Sequence, residues 1–220
     1  DRLKSKLISD MSHELRTPVT NLQLYTDLMM RGKPEKQAYY LDIIKEQTTR
    51  LATLSESITT MSRLDDRRLE LSLMPINLNQ IAQKTIARYE TKAAVRDLTL
   101  RLKLADPPPF IVADGDYLPR IVDHLMDNAL NYTDTGDITI KVYEENGFGC
   151  LVVRDSGDGI AAVDLPHVFD RFYRGQAIGA SNIPGSGLGL SVVKDLVELH
   201  NGRVEIESIL HKCTCVTIRI

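Results

Sequence analysis

Two stretches of this chain repeat apolar residues in alternating steps of three and four, and that rhythm narrows the fold more than any other feature. The first runs Ile8, Met11, Leu15, Leu22, Tyr25 and Met29, with Pro18 in the remaining slot. The second runs Ile44, Gln47, Leu51, Leu54, Ile58 and Met61. Such steps place every member on one seam of an α-helix, as in a bundle or coiled coil. Between them "RGKPEK" (31–36) breaks the chain with Gly32 and Pro34, which predicts a helical hairpin. Val19, Leu24, Leu28, Leu41 and Ile43 widen the stripe beyond what two helices can cover. A second copy of the chain would complete a four-helix bundle on a two-fold axis; a coiled coil against an unrelated partner is the alternative.

Near residue 66 the rhythm stops. "LDDRRLELSLMPIN" (64–77) is charged and then extended, with Pro75 marking a boundary. Beyond it the kinds of element mix. "LNQIAQKTIARYETKAA" has a helical period, "LTLRLKL" (98–104) alternates like a half-buried strand, and "DPPP" (106–109) breaks the chain. "GDYLPRIVDHLMDNALNYT" (115–133) predicts an amphipathic helix with Leu118, Val122, Leu125 and Ala129 inward and Pro119 in its first turn. "DITIKVYEENGFGCLVVRD" reads as a hairpin, "GLGLSVVKDLVELHNG" as a helix with a glycine end, and "RVEIESI" with "CTCVTIRI" as a closing pair of strands. The expected class is α+β: a helical-hairpin dimerisation domain (1–67), a linker (68–76), and a second domain (77–220) with helices on a mostly antiparallel sheet.

The 220 residues, 43% hydrophobic, can bury a real core in one or two domains. A net charge of −3 lacks the basic surplus of a general nucleic-acid binder. Cys150, Cys213 and Cys215 are too few and too clustered for a disulfide framework and read as inert thiols. No apolar run approaches the roughly 20 residues of a membrane span. There is no signal peptide, and "DRLKSKL" begins without methionine in what reads as mid-helix. That opening suggests a fragment of something longer.

Within the first helix, "SDMSHELRTPVTN" (9–21) places His13 at heptad position f, farthest from the seam. Thr17, four residues on, shares its face. Pro18 removes an N–H and crowds the Glu14 carbonyl, so a bend is expected just beyond the histidine. A mid-helix proline costs roughly 3 kcal/mol. Its place beside an exposed His-Glu pair suggests a purpose other than stability.

"SHELRTP" resembles the phosphoacceptor box of two-component sensor histidine kinases. The resemblance implies that His13 takes the γ-phosphoryl group of ATP. Glu14 would orient or deprotonate the imidazole, curling back toward the ring, and Thr17 would position water for dephosphorylating the partner.

A kinase needs a nucleotide site, and this chain has no G-x-x-x-x-G-K-[ST]. It has instead "GSGLGLS" (185–191), whose glycines lead into a helix N-terminus suited to a triphosphate. "DSGDGI" (155–160) ends a strand in a glycine-rich turn whose carboxylate can accept the adenine amine. "HLMDNALNYT" (124–133) carries His124, Asn128 and Tyr132 on the helix face opposite the core stripe, and an asparagine carbonyl is a hard oxygen donor for Mg²⁺. Alone, these stretches also read as a flexible loop, an acidic turn and an exposed asparagine pair. In this order, with "FDRFYRG" (169–175), they resemble the N, G1, F and G2 boxes of the histidine-kinase catalytic domain, the α/β-sandwich ATP-binding fold of gyrase and heat-shock chaperones.

The resemblance implies ATP and Mg²⁺ as cofactors, with Asn128 as metal ligand and Asp155 as reader of adenine. Gly157 and Gly159 would line the base, and Gly185, Gly187, Leu188 and Gly189 would cradle the phosphates. Tyr132 and Arg174 are nucleotide contacts, Phe169 and Phe172 anchor a lid, and the segment from the F box to Gly185 is that lid. Two departures stand out. His124 occupies the usual asparagine place four residues before the metal ligand, and Asp158 occupies a place where proline is common, with its charge expected outward. The implied partners are a second copy and a response-regulator receiver domain, docked near Gln23, Thr26, Met30 and Tyr40; the resemblance also implies a cytoplasmic fragment whose upstream sensor or membrane segment lies outside it. The implied function is ATP-dependent autophosphorylation of His13 and transfer to a regulator aspartate, with regulator phosphatase activity beside it; a mainly phosphatase enzyme and a non-catalytic nucleotide-sensing scaffold are the alternatives.

Overall fold

The computed structural model describes residues 2–31, 33–65, 69–175 and 185–220, with the side chains of residues 2–10 and 65 outside that description. Gly32, residues 66–68 of the expected domain boundary and residues 176–184 of the expected lid lie outside the described residues. The chain divides into two compact units, Asp1–Asp66 and Arg67–Ile220.

The first unit is a helical hairpin. Helix α1 (Arg2–Arg31) and helix α2 (Gln37–Asp65) are joined through a short tight turn, Pro34–Lys36. They run antiparallel: Glu14 pairs with Arg50, and one end further on Tyr25 meets Tyr40 with ring centroids 5.9 Å apart. Between the helices Pro18, Tyr40, Leu54 and Met61 are buried, and Leu15, Leu22, Met29, Ile44, Leu51 and Ile58 are half-buried. Val19, Leu24 and Leu41 remain exposed, the width of stripe the sequence pattern implies. Helix α1 continues through Pro18.

The second unit takes in the stretch expected to be linker. Strand β1 (Leu73–Asn77) pairs antiparallel with β3 (Phe110–Asp114) in a small sheet of its own. Sequence reading passed over β3 because "DPPP" precedes it and only Ile111, Ala113 and Asp114 of its five residues are buried. Helix α3 (Leu78–Ala94) starts where the Asn77 side chain accepts the Gln80 N–H. The larger sheet has the order β2-β4-β5-β7-β6, formed by β2 (Thr99–Lys103), β4 (Asp137–Glu145), β5 (Phe148–Asp155), β6 (Arg203–Ile209) and β7 (Cys213–Arg219). Only β2 and β4 pair parallel; the other neighbours are antiparallel.

Helices α3, α4 (Tyr117–Asn131) and α5 (Gly189–Leu199) pack on this sheet. The sheet gives them Ile138, Ile140, Val142, Leu151, Val153, Val216 and Ile218, and α4 returns Leu118, Ile121, Val122, Leu125, Met126 and Ala129, all buried. On the other pleat of the sheet Arg101, Lys103, Lys141 and Arg154 face water. Alternation decides where the site falls. Leu151, Val153 and Asp155 share the helix-facing side of β5, so the strand's last inward residue is a carboxylate at the rim of the apolar core.

Candidate active site

In the hairpin unit, His13 is exposed, as its heptad position requires. The Thr17 hydroxyl, also exposed, donates to the His13 carbonyl at 3.4 Å, so the two residues share a face. Glu14 departs from expectation. It is half-buried toward α2, and its Oε2 lies 3.2 Å from Nη2 of Arg50 rather than on the neighbouring ring. The physical reason is helix geometry: adjacent residues point about 100° apart, and the direction toward α2 meets the Arg50 guanidinium. Tyr40 is a second correction. It is buried against Tyr25 and so offers no docking surface, whereas Gln23, Thr26 and Met30 are exposed.

In the second unit, Asp155 anchors the site. Its Oδ1 accepts the Gly157 N–H at 3.0 Å and the Thr214 N–H at 3.2 Å, bonds that hold the turn after β5 and the start of β7. Burial pushes its carboxyl above the usual range, against the pull of those two N–H groups. Both of these bonds fall on Oδ1.

The turn glycines are required by backbone approach. A Cβ on Gly157 would stand 2.0 Å from the Tyr132 carbonyl oxygen and 2.8 Å from Thr133 Oγ1. Gly159, at φ +65°, would place one 2.1 Å from the Ile209 carbonyl oxygen. The loop is thereby clasped between the end of α4 and the β6–β7 turn, where Asp158 N–H donates to Tyr132 O (2.9 Å) and His211 N–H donates to Asp158 O (2.6 Å). These contacts account for both glycines before any base is considered. The Asp158 side chain is exposed, as expected.

Helix α4 ends at Asn131, so Tyr132 caps it instead of extending the His124–Asn128 face. Burial pushes the Tyr132 hydroxyl up, with the nearby Arg174 charge pulling the other way. That face is met by the start of α5. A Cβ built on Gly189 would lie 3.7 Å from His124 Nδ1 and 4.0 Å from Asn128 Oδ1, and one on Gly185 would lie 3.9 Å from the Tyr132 hydroxyl. Among the described residues no side chain caps α5, and the first N–H groups of a helix have no partner within it. Leu188 is wholly buried, so only its backbone faces the site. Gly187 sits at φ +69° with a would-be Cβ 2.7 Å from the Phe172 backbone, and the Phe172 N–H donates to its carbonyl at 2.9 Å. Phe169 and Phe172 are half-buried, and the Arg171–Asp195 ion pair at 3.2 Å ties the same segment to α5.

Contacts thus link Asp155 through Gly157 to Tyr132 at the end of α4, and Tyr132 and Asn128 to Gly185 and Gly189, with the Arg174 charge near Tyr132. Three residues escaped sequence reading, two in this unit and one in the hairpin. Thr214 and Thr133 show only through pairing and packing, and Arg50 stands 36 residues from Glu14 with no motif around it. Among the described residues no group of three or more acidic, histidine or cysteine side chains could hold a metal. The Asn128 amide oxygen beside the start of α5 suits Mg²⁺, which takes few protein ligands and otherwise binds phosphate oxygens and water.

Residues 3–67 match the His Kinase A (phospho-acceptor) domain, and residues 113–220 match the histidine kinase-, DNA gyrase B- and HSP90-like ATPase domain. The chain is 33% identical over 201 residues to the sensor protein kinase PmrB of Pseudomonas aeruginosa, covering 90% of this chain and 41% of PmrB. It is 31% identical over 224 residues to the sensor protein SrrB of Staphylococcus aureus, covering 100% of this chain and 38% of SrrB. It thus spans about two fifths of the length of these curated relatives. The solved structure of the Acinetobacter baumannii histidine kinase AdeS superposes with a TM-score of 0.75 at 25% identity, over 94% of this chain and 96% of that one. A phospho-acceptor hairpin followed by an ATPase domain of this kind defines a class, and the chain belongs to it: the two-component sensor histidine kinases. No helix among the described residues is long and apolar enough to cross a membrane.

Proposed function

We propose that the chain is the catalytic core of a kinase that phosphorylates its own His13 from ATP and passes the phosphoryl group to an aspartate of a response-regulator receiver domain. The observation that carries the nucleotide half is Asp155, a buried carboxylate with one oxygen tied to two backbone N–H groups and the other left for the adenine amine. Asn128 is the side chain that would hold Mg²⁺, which supplies charge stabilisation on the transferring phosphoryl group. The N–H groups at the start of α5 bind phosphate oxygens, and Tyr132 and Arg174 border the nucleotide. The backbone at Gly157 and Gly159 lines the base.

One nitrogen of the neutral His13 ring attacks the γ-phosphorus. The N–P bond forms as the bond from γ-phosphorus to the oxygen bridging it to ADP breaks, and ADP leaves with that electron pair. The ring then carries positive charge, which a Glu14 carboxylate at the other nitrogen relieves by accepting its proton. The half-covered apolar stripe of the hairpin supports a homodimer, and the greater length of the relatives supports an upstream sensor part, with membrane anchoring of the full-length protein. The core itself works in the cytoplasm. Incubation with γ-labelled ATP and Mg²⁺ is expected to leave acid-labile, base-stable label on the chain, lost in His13→Gln. Acid-stable label, or label retained in His13→Gln, refutes the assignment.

A further inference from the structure

His13 and Glu14 are neighbours in sequence with opposite surroundings. The histidine side chain is in water, and the glutamate is drawn to α2, where Arg50 Nη2 stands 3.2 Å from its Oε2 and the two side chains keep 23% and 21% of their surface exposed. That direction is incompatible with service to the ring. To reach an imidazole nitrogen, the carboxylate must swing around the helix, away from the guanidinium. In the observed state its charge is matched by a cation, and the base that the His13 reaction calls for is engaged elsewhere.

We propose that Arg50 is a positioning residue for phosphorylation of His13: it holds the Glu14 carboxylate away from the imidazole, and phosphorylation proceeds from the state in which this ion pair is broken. The proposal rests on reading His13 as the phosphoacceptor. Two features of the hairpin fit a latch that opens. Ion pairs with this much solvent around them hold weakly, so a small shift of α2 along α1 suffices to part them. Pro18 offers no N–H to the Glu14 carbonyl, so the backbone that carries the carboxylate lacks one helical hydrogen bond where it must move. A hairpin of two long helices is suited to convert such a shift into a change in availability of the base. The latch then makes Glu14 available only when α1 and α2 change register.

The test uses the whole chain and the variants Arg50→Gln, Arg50→Lys, Glu14→Gln and Arg50→Gln/Glu14→Gln. Arg50→Gln is expected to raise the initial rate of acid-labile labelling at saturating ATP about two- to fivefold, the scale on which such pairs compete, with KM for ATP unchanged. Arg50→Lys is expected near the parent rate, because the observed contact uses one N–H donor. The gain is expected to vanish in the double variant. A merely structural arginine would not move the second readout, the His13 ring nitrogen shifts in isotope-labelled protein, which Arg50→Gln is expected to change without nucleotide as one ring N–H gains a carboxylate. An unchanged or lower rate in Arg50→Gln, a gain that survives Glu14→Gln, or ring nitrogens that stay put overturns the latch. Should neither the parent nor Arg50→Gln take up label while the ring shifts appear in Arg50→Gln, the phosphoacceptor reading fails and the latch's role in phosphorylation fails with it; label in Arg50→Gln without the ring shifts overturns the latch alone.

Discussion

Asp155→Asn alters one atom of the site while keeping its scaffold. Asparagine retains Oδ1 as acceptor for the Gly157 and Thr214 N–H groups, so the turn after β5 and the start of β7 stay tied. It replaces Oδ2 by an NH₂, which meets the adenine amine donor to donor. Losing one hydrogen bond to a charged group costs about 1.5–3 kcal/mol, or about 10- to 150-fold in ATP affinity. Stability should move the other way. Burial raises the Asp155 carboxyl above its unfolded value, so its contribution is fully present below the unfolded pKa and is lost as pH rises through the folded one. Once ionised, the folded group therefore costs the fold free energy, and the neutral amide removes that cost. Calorimetric titration with ATP and thermal melts of parent and variant at pH 7 read both effects. Weakened binding with an equal or higher melting temperature is expected. Parental affinity for ATP would falsify the adenine-reading role, and a large drop in melting temperature would show that the carboxylate serves structure.

Gly187→Ala places a side chain at φ +69° against the Phe172 backbone, and left-handed geometry alone costs roughly 1–2 kcal/mol; a lower melting temperature and weaker ATP binding are expected together. Asp114 behaves oppositely to Asp155: burial raises its carboxyl, but N–H bonds from Tyr117, Asp116 and Ser72 outweigh that and hold it below the usual range. Its stabilisation is present above the unfolded pKa, about 3.9, and lost as pH falls through the folded value, so Asp114→Asn should flatten the acid limb of a stability–pH profile. Thr17→Ala is expected to abolish dephosphorylation of a phosphorylated receiver domain and spare labelling of His13, read with the two assays side by side.

Much of this was legible in the residues. The three-four rhythm gives the hairpin and the exposed His13, and period two along "LVVRD" gives a carboxylate at the inward end of a strand. What was not legible depends on partners distant in sequence. Strand β3 looked like a loop because Phe110 and Val112 face outward after a proline run, and it acquires its identity only by pairing with β1. Tyr132 fell off the predicted helix face because α4 stops one residue earlier, at Asn131. Arg50 is one of many charged residues on α2, and nothing local separates the one that meets Glu14 from those in solvent.

The two aspartates show where sequence and structure divide the work. Asp114 and Asp155 each end a strand, each is buried, and each accepts backbone N–H groups. Asp114 uses both oxygens: Oδ1 takes Asp116 and Tyr117 N–H at 2.8 and 3.0 Å, and Oδ2 takes Ser72 N–H at 2.7 Å. Its own N–H donates to His200 Nε2 at 3.0 Å, which links it to the end of α5. Asp155 confines its bonds to one oxygen, and its carboxyl is raised where that of Asp114 is lowered. A carboxylate bonded through both oxygens serves the fold it stabilises; one bonded through a single oxygen at the rim of the core has an acceptor to spare for a ligand's donor. That difference, more than the glycines around it, is the physical reason to place the nucleotide base at Asp155.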